Sequence, residues 1–147
     1  MNTPYNYTIA ELTASDSTTL TDLDALMHEL STRASCNGQR LLDILSDANA
    51  HLYVARHNNH IVATASLCIA HTPEKRLGFI EAVVVSTSHR GQGLGRRLME
   101  HILQEARRLG VDTLHLTSNP RRVAANALYR RLGFDHYETN VYKLQLS

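Results

Sequence analysis

The sequence has no tryptophan, only two cysteines and three prolines, and no apolar run that approaches the length of a membrane span. Each shortage removes a class of protein. Cys36 and Cys68 stand far apart without metal-ligand spacing, which excludes a disulfide framework, suits a reducing compartment and reads both as ordinary packed thiols. Nine histidines are present, yet none falls in a paired spacing such as H-x-x-x-H, so no metal site is expected. Neither sign of charge prevails: 15 Lys plus Arg face 14 Asp plus Glu, and no overall field draws nucleic acid or acidic lipid. The arginines of the later helices alternate with Glu and lack the aromatic platform that single-stranded nucleic acids stack on. The opening MNTPYNYTIAEL is polar, with neither the basic start nor the apolar core of a signal peptide. These features predict a cytoplasmic protein with no nucleic-acid or membrane partner.

What is present is a regular change of period. At 147 residues the chain fits one domain, 1–147, with no repeat and no low-complexity linker. Tyr5 to Leu12 alternates and reads as a first strand. Leu20, Leu23, Leu26, Met27 and Leu30 then recur at helical spacing behind Ser17, Thr18 and Thr19, any of which can cap a helix. A short helix follows over about Gln39 to Ala48, and HLYVARHNNHIVATASLCIA holds two strands around Asn58-Asn59, residues that tolerate a tight hairpin. After the polar break TPEKRL, the run GFIEAVVV is apolar at almost every position and is expected as a central strand covered on both faces. Leu94, Leu98, Ile102, Ala106 and Leu109 stripe a helix from Gly93 that Gly110 closes. Thr113 to Thr117 is a fifth strand, Asn119-Pro120 opens a helix that ends at Gly133, and Phe134 to Tyr137 and Asn140 to Leu146 complete the pattern as two further β segments. The fold class is therefore α/β in the mixed α+β sense, one sheet with helices on both faces.

The stretch VVVSTSHRGQGLGRRL demands a chemical reason. A strand, closely spaced glycines and a helix start gather free backbone N–H groups and the positive end of a helix dipole at one point, and such a point binds phosphate. The dinucleotide fingerprint fails here, because Arg96 stands where a third glycine should follow Gly91 and Gly93. A Walker loop fails too, since Gly95 is followed by Arg96 and Arg97. Arg90-x-x-Gly93-x-Gly95 behind an apolar strand does resemble the pyrophosphate signature of the GNAT superfamily of acyl-CoA-dependent N-acyltransferases. Ala125-Asn126-Ala127-Leu128-Tyr129-Arg130-Arg131-Leu132-Gly133-Phe134 resembles the family's A-x-x-L-Y-x-x-x-G-F segment, at the appropriate distance downstream. The order of elements agrees, so the likeness covers nearly the whole chain, weakest before residue 50.

The resemblance implies a central mixed, mostly antiparallel sheet of about seven strands. It implies an N-acetyltransferase that moves an acetyl group from acetyl-CoA to a primary amine, on a small molecule or a peptide, by direct attack in a ternary complex. The backbone of Val83, Val84 and Val85 would pair with the pantetheine arm, and Arg90, Gly91, Gln92, Gly93, Leu94, Gly95 and Arg96 would hold the pyrophosphate. Glu81 is the candidate base, since a free amine is protonated at neutral pH, and Tyr129 the candidate acid for the departing thiolate. Ala82 departs from relatives that carry an acidic residue there, so no carboxylate pair is available. Relatives also place a CoA-contacting Asn seven residues before the tyrosine, where this chain has Arg122. Asn119 reads as a helix cap, Asn126 as a cofactor contact or a solvent-facing residue, and Arg121, Arg122, Arg130 and Arg131 as phosphate partners or solvated charges. Residues 31–49, 71–78 and the last hairpin would frame the acceptor. A homodimer is compatible with these features, and the alternative function is a non-catalytic acyl-CoA-binding sensor.

Overall fold

The computed structural model describes residues 5–147. These fall into a first compact unit that runs to Thr117 and a second over Ser118–Ser147. The first unit contains, in chain order, β1 (Thr8–Glu11), α1 (Thr19–Leu30), α2 (Gly38–Ser46), β2 (Ala50–His57), β3 (His60–His71), β4 (Arg76–Val85), α3 (Leu94–Arg108) and β5 (Thr113–His115). The strands form one sheet in the order β1-β2-β3-β4-β5. Every neighbouring pair is antiparallel except β4 and β5, which run parallel. The β2–β3 hairpin turns on Asn58 and Asn59 at φ 50° and 67°, the left-handed pair that a two-residue turn of this hand requires.

Strand alternation sorts the core into two layers. Leu52 and Val54 of β2 join Leu12, Ile61, Val84 and the helix residues Leu23, Leu26 and Leu41 in one buried cluster, so α1 and α2 cover that face. Tyr53, between them, points the opposite way and meets His101 of α3 edge-on at 5.5 Å. The α3 stripe of Leu94, Leu98, Met99, Ile102 and Ala106 is at most 2% exposed. Each of its Leu, Met and Ile side chains contributes about 1.5–3 kcal/mol by leaving water. The helix stops where Gly110, at φ 74°, donates to the Arg107 carbonyl and Val111 reaches back to that of Ala106. Gly78 is needed for space: a Cβ there would lie 2.7 Å from Leu114 of β5.

Several expectations need correction. Among the described residues the sheet has five strands rather than about seven. Residues 134–147 form no strand, and Val141, Tyr142, Leu144 and Leu146 are 74–88% exposed. Their alternation gives β propensity, but a strand exists only when another edge satisfies its backbone, and among the described residues none pairs with them in a ladder. The β3–β4 break is shorter than read, since Arg76 and Leu77 are already in β4. That strand is interior to the sheet without being covered on both faces, because Glu81 is exposed and Ala82 and Val83 only half-buried. Cys68 is exposed rather than packed. No helix among the described residues is long and apolar enough to cross a membrane.

Candidate functional site

β4 changes character halfway along. It pairs with β5 only at Leu77, Gly78 and Phe79, so from Ile80 onward its edge on that side has no strand partner among the described residues. On the other edge the ladder with β3 continues to Val85, interrupted once. Ser66 faces Glu81 and Thr64 faces Val84, which leaves Ala82 and Val83 together opposite Ala65. This is a bulge, and Ala82 takes φ 52° to make it. A left-handed alanine costs roughly 1–2 kcal/mol, and no sequence pattern announced it. The bulge leaves Glu81 exposed on the face that carries Leu52, while Val84 returns to the core at 3% exposure. A free strand edge can receive an extended ligand as an added strand.

The chain then turns into α3 through the glycines. Gly91 and Gly93 adopt φ 76° and 73°, and a Cβ on either would meet nothing within 4 Å. Their requirement is therefore conformational, whereas Gly95 lies inside α3 and needs no special angle. Arg97 is the first residue whose N–H finds a helix-type acceptor, the Gly93 carbonyl at 3.2 Å. Among the described residues the amides of residues 91–96 have no protein acceptor. No acidic side chain stands in the first turn of α3 to receive them. Nearby cations are partly engaged: Arg96 pairs with Glu100 at 2.8 Å, and Arg90 Nε donates to the Val85 carbonyl at 3.0 Å. Such a cradle suits an anion.

Two contacts that sequence reasoning missed hold the approach to this turn. Glu29 of α1 accepts from the Thr87 N–H at 2.8 Å and from its hydroxyl at 2.5 Å, and the hydroxyl bond above all holds the carboxyl below its ordinary range. From β1's side, the Tyr7 hydroxyl meets His89 Nδ1 at 2.9 Å, with the rings of Tyr5 and His57 packed around the imidazole. The partners are 58 and 82 residues apart, too distant for any local pattern to signal.

The second unit is built on α4 (Val123–Arg131). It begins after Arg122 rather than at Asn119-Pro120. Asn119 acts just ahead of it: its side chain accepts from the Arg121 N–H at 2.9 Å, and its carbonyl takes the Asn126 amide at 3.0 Å. Asn126 thus ties the turn to the helix. The end at Gly133 is as read, with φ 100° there and the Phe134 N–H on the Tyr129 carbonyl. Tyr129 is 6% exposed, its ring edge-on to Phe134 at 6.1 Å. Burial raises its phenol above the ordinary value, with Arg122 opposing, so the hydroxyl stays a proton donor at neutral pH.

Comparison with known proteins agrees with this architecture. A profile described as the Acetyltransferase (GNAT) family matches residues 16–134. The ribosomal protein bS18-alanine N-acetyltransferase of Escherichia coli is 43% identical over 53 residues, 36% of each chain. The IAA acetyltransferase of Azospirillum brasilense is 33% identical over 96 residues, 64% of this chain and 61% of that one. The matches thus span less than two thirds of these relatives' lengths. A crystal structure of a Trypanosoma brucei acetyltransferase superposes with a TM-score of 0.78 at 26% identity, over 96% of this chain and 100% of the other.

Proposed function

This chain belongs to the GNAT acetyltransferase family, and from that premise we propose that it transfers an acetyl group from acetyl-CoA to a primary amine in the cytoplasm. The observation that carries the reading is the junction of β4 and α3. There, among the described residues, a strand edge with no partner runs into a turn whose amides of residues 91–96 have no protein acceptor. Acetyl-CoA has the matching chemistry: an extended amide arm for the edge at Val83 to Val85, and a pyrophosphate for Arg90 to Arg96. The bulge at Ala82 and Val83 supports an N–H directed at the thioester oxygen, where charge develops. Metal is not part of the proposal.

In the proposed reaction the amine nitrogen attacks the thioester carbonyl, and its proton passes to Glu81 directly or through water. Exposure at the sheet surface keeps that carboxylate within reach of solvent and acceptor alike. The tetrahedral intermediate then expels the CoA thiolate, which takes a proton from Tyr129. A thiol near pKa 8.5 against a phenol above 10 makes complete transfer uphill by about 2 kcal/mol, so the donation has to accompany C–S cleavage. The acceptor is a small amine or a peptide N-terminus; the bS18-alanine enzyme among the relatives favours including peptides.

Acetyl-CoA at a hundredfold excess over its dissociation constant is expected to stabilise the fold by roughly 2.7 kcal/mol. Release of CoA on adding members of an amine and peptide panel then tests turnover. Binding without turnover on any amine would leave a sensor. Tyr129→Phe keeps the ring and should slow kcat and kcat/KM together by about a hundredfold while CoA affinity holds. A wild-type rate in that variant, with chemistry rate-limiting, would hand the protonation to water. Glu81→Gln should flatten the acid limb of the pH–rate profile.

A further inference from the structure

The segment between Val85 and Gly91 has little to hold it from within. Its own backbone bonds are His89 N–H to the Ser86 carbonyl at 2.9 Å and Arg90 N–H to that of Thr87 at 3.5 Å, the second beyond good geometry. Apart from the Ser86 N–H on the Val62 carbonyl of β3 at 2.8 Å, what fixes it comes from two layers. Glu29 reaches it from α1, on one face of the sheet, and takes both donors of Thr87. Tyr7 reaches it from just before β1, beside Arg97 of α3 on the other face, and bonds His89; the Arg97 guanidinium lies 6.0 Å from the Tyr7 ring centre. Gly91 and Gly93, free to take many angles, follow at once.

We propose that Glu29 and Tyr7 are positioning residues for the phosphate cradle: they pin Thr87 and His89 so that the amides after Gly91 stand ready for the pyrophosphate before it arrives. The idea rests on the cofactor reading above. Its physical content is pre-organisation. A turn ordered in advance spares the ligand the cost of ordering it, and a carboxylate that accepts two bonds is a stronger pin than a neutral acceptor. Neither residue touches the reacting atoms, so their loss should act on acetyl-CoA binding alone.

Glu29→Ala should raise the dissociation constant and the KM for acetyl-CoA about tenfold, with kcat within twofold and the amine KM unmoved, tenfold corresponding to about 1.4 kcal/mol. Glu29→Gln, which retains an acceptor oxygen, should recover most of the affinity. Adding Thr87→Val to Glu29→Ala should cost nothing further, whereas Tyr7→Phe should multiply with Glu29→Ala, because the two pins share no partner. Hydrogen exchange supplies a readout without any cofactor: the Thr87 amide, protected by Glu29, should exchange faster in Glu29→Ala at unchanged global stability. Wild-type affinity in Glu29→Ala and Tyr7→Phe, or a rise confined to the amine KM, would overturn the proposal. Should Glu29→Ala fail to fold, Glu29→Gln and Tyr7→Phe decide it. If the native chain binds no acetyl-CoA at all, it is the cofactor reading that falls, while the exchange of the Thr87 amide still reports whether the pin exists.

Discussion

The starts of α1 and α3 solve the same electrostatic problem in opposite ways. Every helix opens with amides that have no partner within it and a partial positive charge. At α1 the chain supplies the answer itself. Asp16 Oδ1 accepts from the N–H groups of Thr18 and Thr19, 2.9 and 3.0 Å away, and from both threonine hydroxyls. That many donors drive its carboxyl down to about 2, the Thr19 hydroxyl most of all. At α3 the first turn holds no acidic residue, Glu100 reaches only the Arg96 side chain, the cap is a left-handed glycine, and the charged side chains there are Arg96 and Arg97. One helix carries its anion and the other, under the proposed function, receives one from the cofactor. An N-terminus left unanswered marks function only by contrast with one that is answered.

The largest effect expected from that contrast is at Gly95. Gly95→Val should weaken acetyl-CoA by about a hundredfold, since a branched Cβ in the first turn displaces the phosphate from several charge-assisted bonds at once. Gly93→Val is a poorer probe, because the left-handed angle of 73° adds strain of roughly 1–2 kcal/mol to any loss of binding. Gly95→Ala is the cleanest. Alanine in a helix stabilises by up to about 1 kcal/mol relative to glycine, so this variant should melt no lower than the parent yet bind acetyl-CoA about tenfold more weakly. Titration calorimetry beside a melting curve separates the two. An alanine variant that melts higher and binds as tightly would break the contrast, leaving the α3 start an ordinary turn.

Much of this was legible in the residues, and the exceptions share a cause. The hairpin at Asn58-Asn59, the α3 stripe and both glycine stops are local, settled by residues within a few positions of one another. The junction of β4 with the glycine turn was readable for the same reason. Asp16 was overlooked in favour of Ser17, Thr18 and Thr19, because three possible caps in a row hide the one that arrives from the preceding loop. The bulge at Ala82 left no mark, since alanine at φ 52° is dictated by the ladder around it and not by its own preference. Glu29 and Tyr7 were invisible because their partners lie far along the chain. The last two β segments failed in the other direction: alternation can make a stretch fit for a sheet, but only an available edge makes it a strand.

A smaller effect is expected at the other helix. Asp16→Ala removes the acceptor at α1 and should lower the melting temperature by a few degrees, as loss of a cap usually does in a domain of this size. Acetyl-CoA affinity should not move. The pair of variants therefore forms a crossed design, Gly95→Ala changing affinity without loss of stability and Asp16→Ala changing stability without loss of affinity. If Asp16→Ala weakened acetyl-CoA as much as Gly95→Ala does, the two helix starts would be coupled and the contrast between them would dissolve.

The smallest effect is also the most specific, because it follows pH. The Asp16 carboxyl is depressed to about 2 in the fold against about 3.9 for a free aspartate, so the folded state holds on to the charged form. A depressed acid contributes stability that is fully present above its unfolded pKa and disappears as pH falls through its folded one. The window is therefore pH 4 to pH 2. Asp16→Asn keeps an oxygen that can accept from Thr18 and Thr19 but cannot titrate. The melting temperature of the parent minus that of the Asn variant should be positive and flat from pH 7 to about 4.5, then shrink towards zero near pH 2. Glu29, whose carboxyl is also held low, titrates in both proteins and cancels in the difference. Added acetyl-CoA should leave the shape of the difference unchanged, since its phosphates are assigned to α3 and not to α1. A difference that stays constant down to pH 2 would mean that Asp16 acts at α1 only as a hydrogen-bond acceptor, with its charge of no account. The claim that α1 answers its dipole with an anion of its own would then have to be given up.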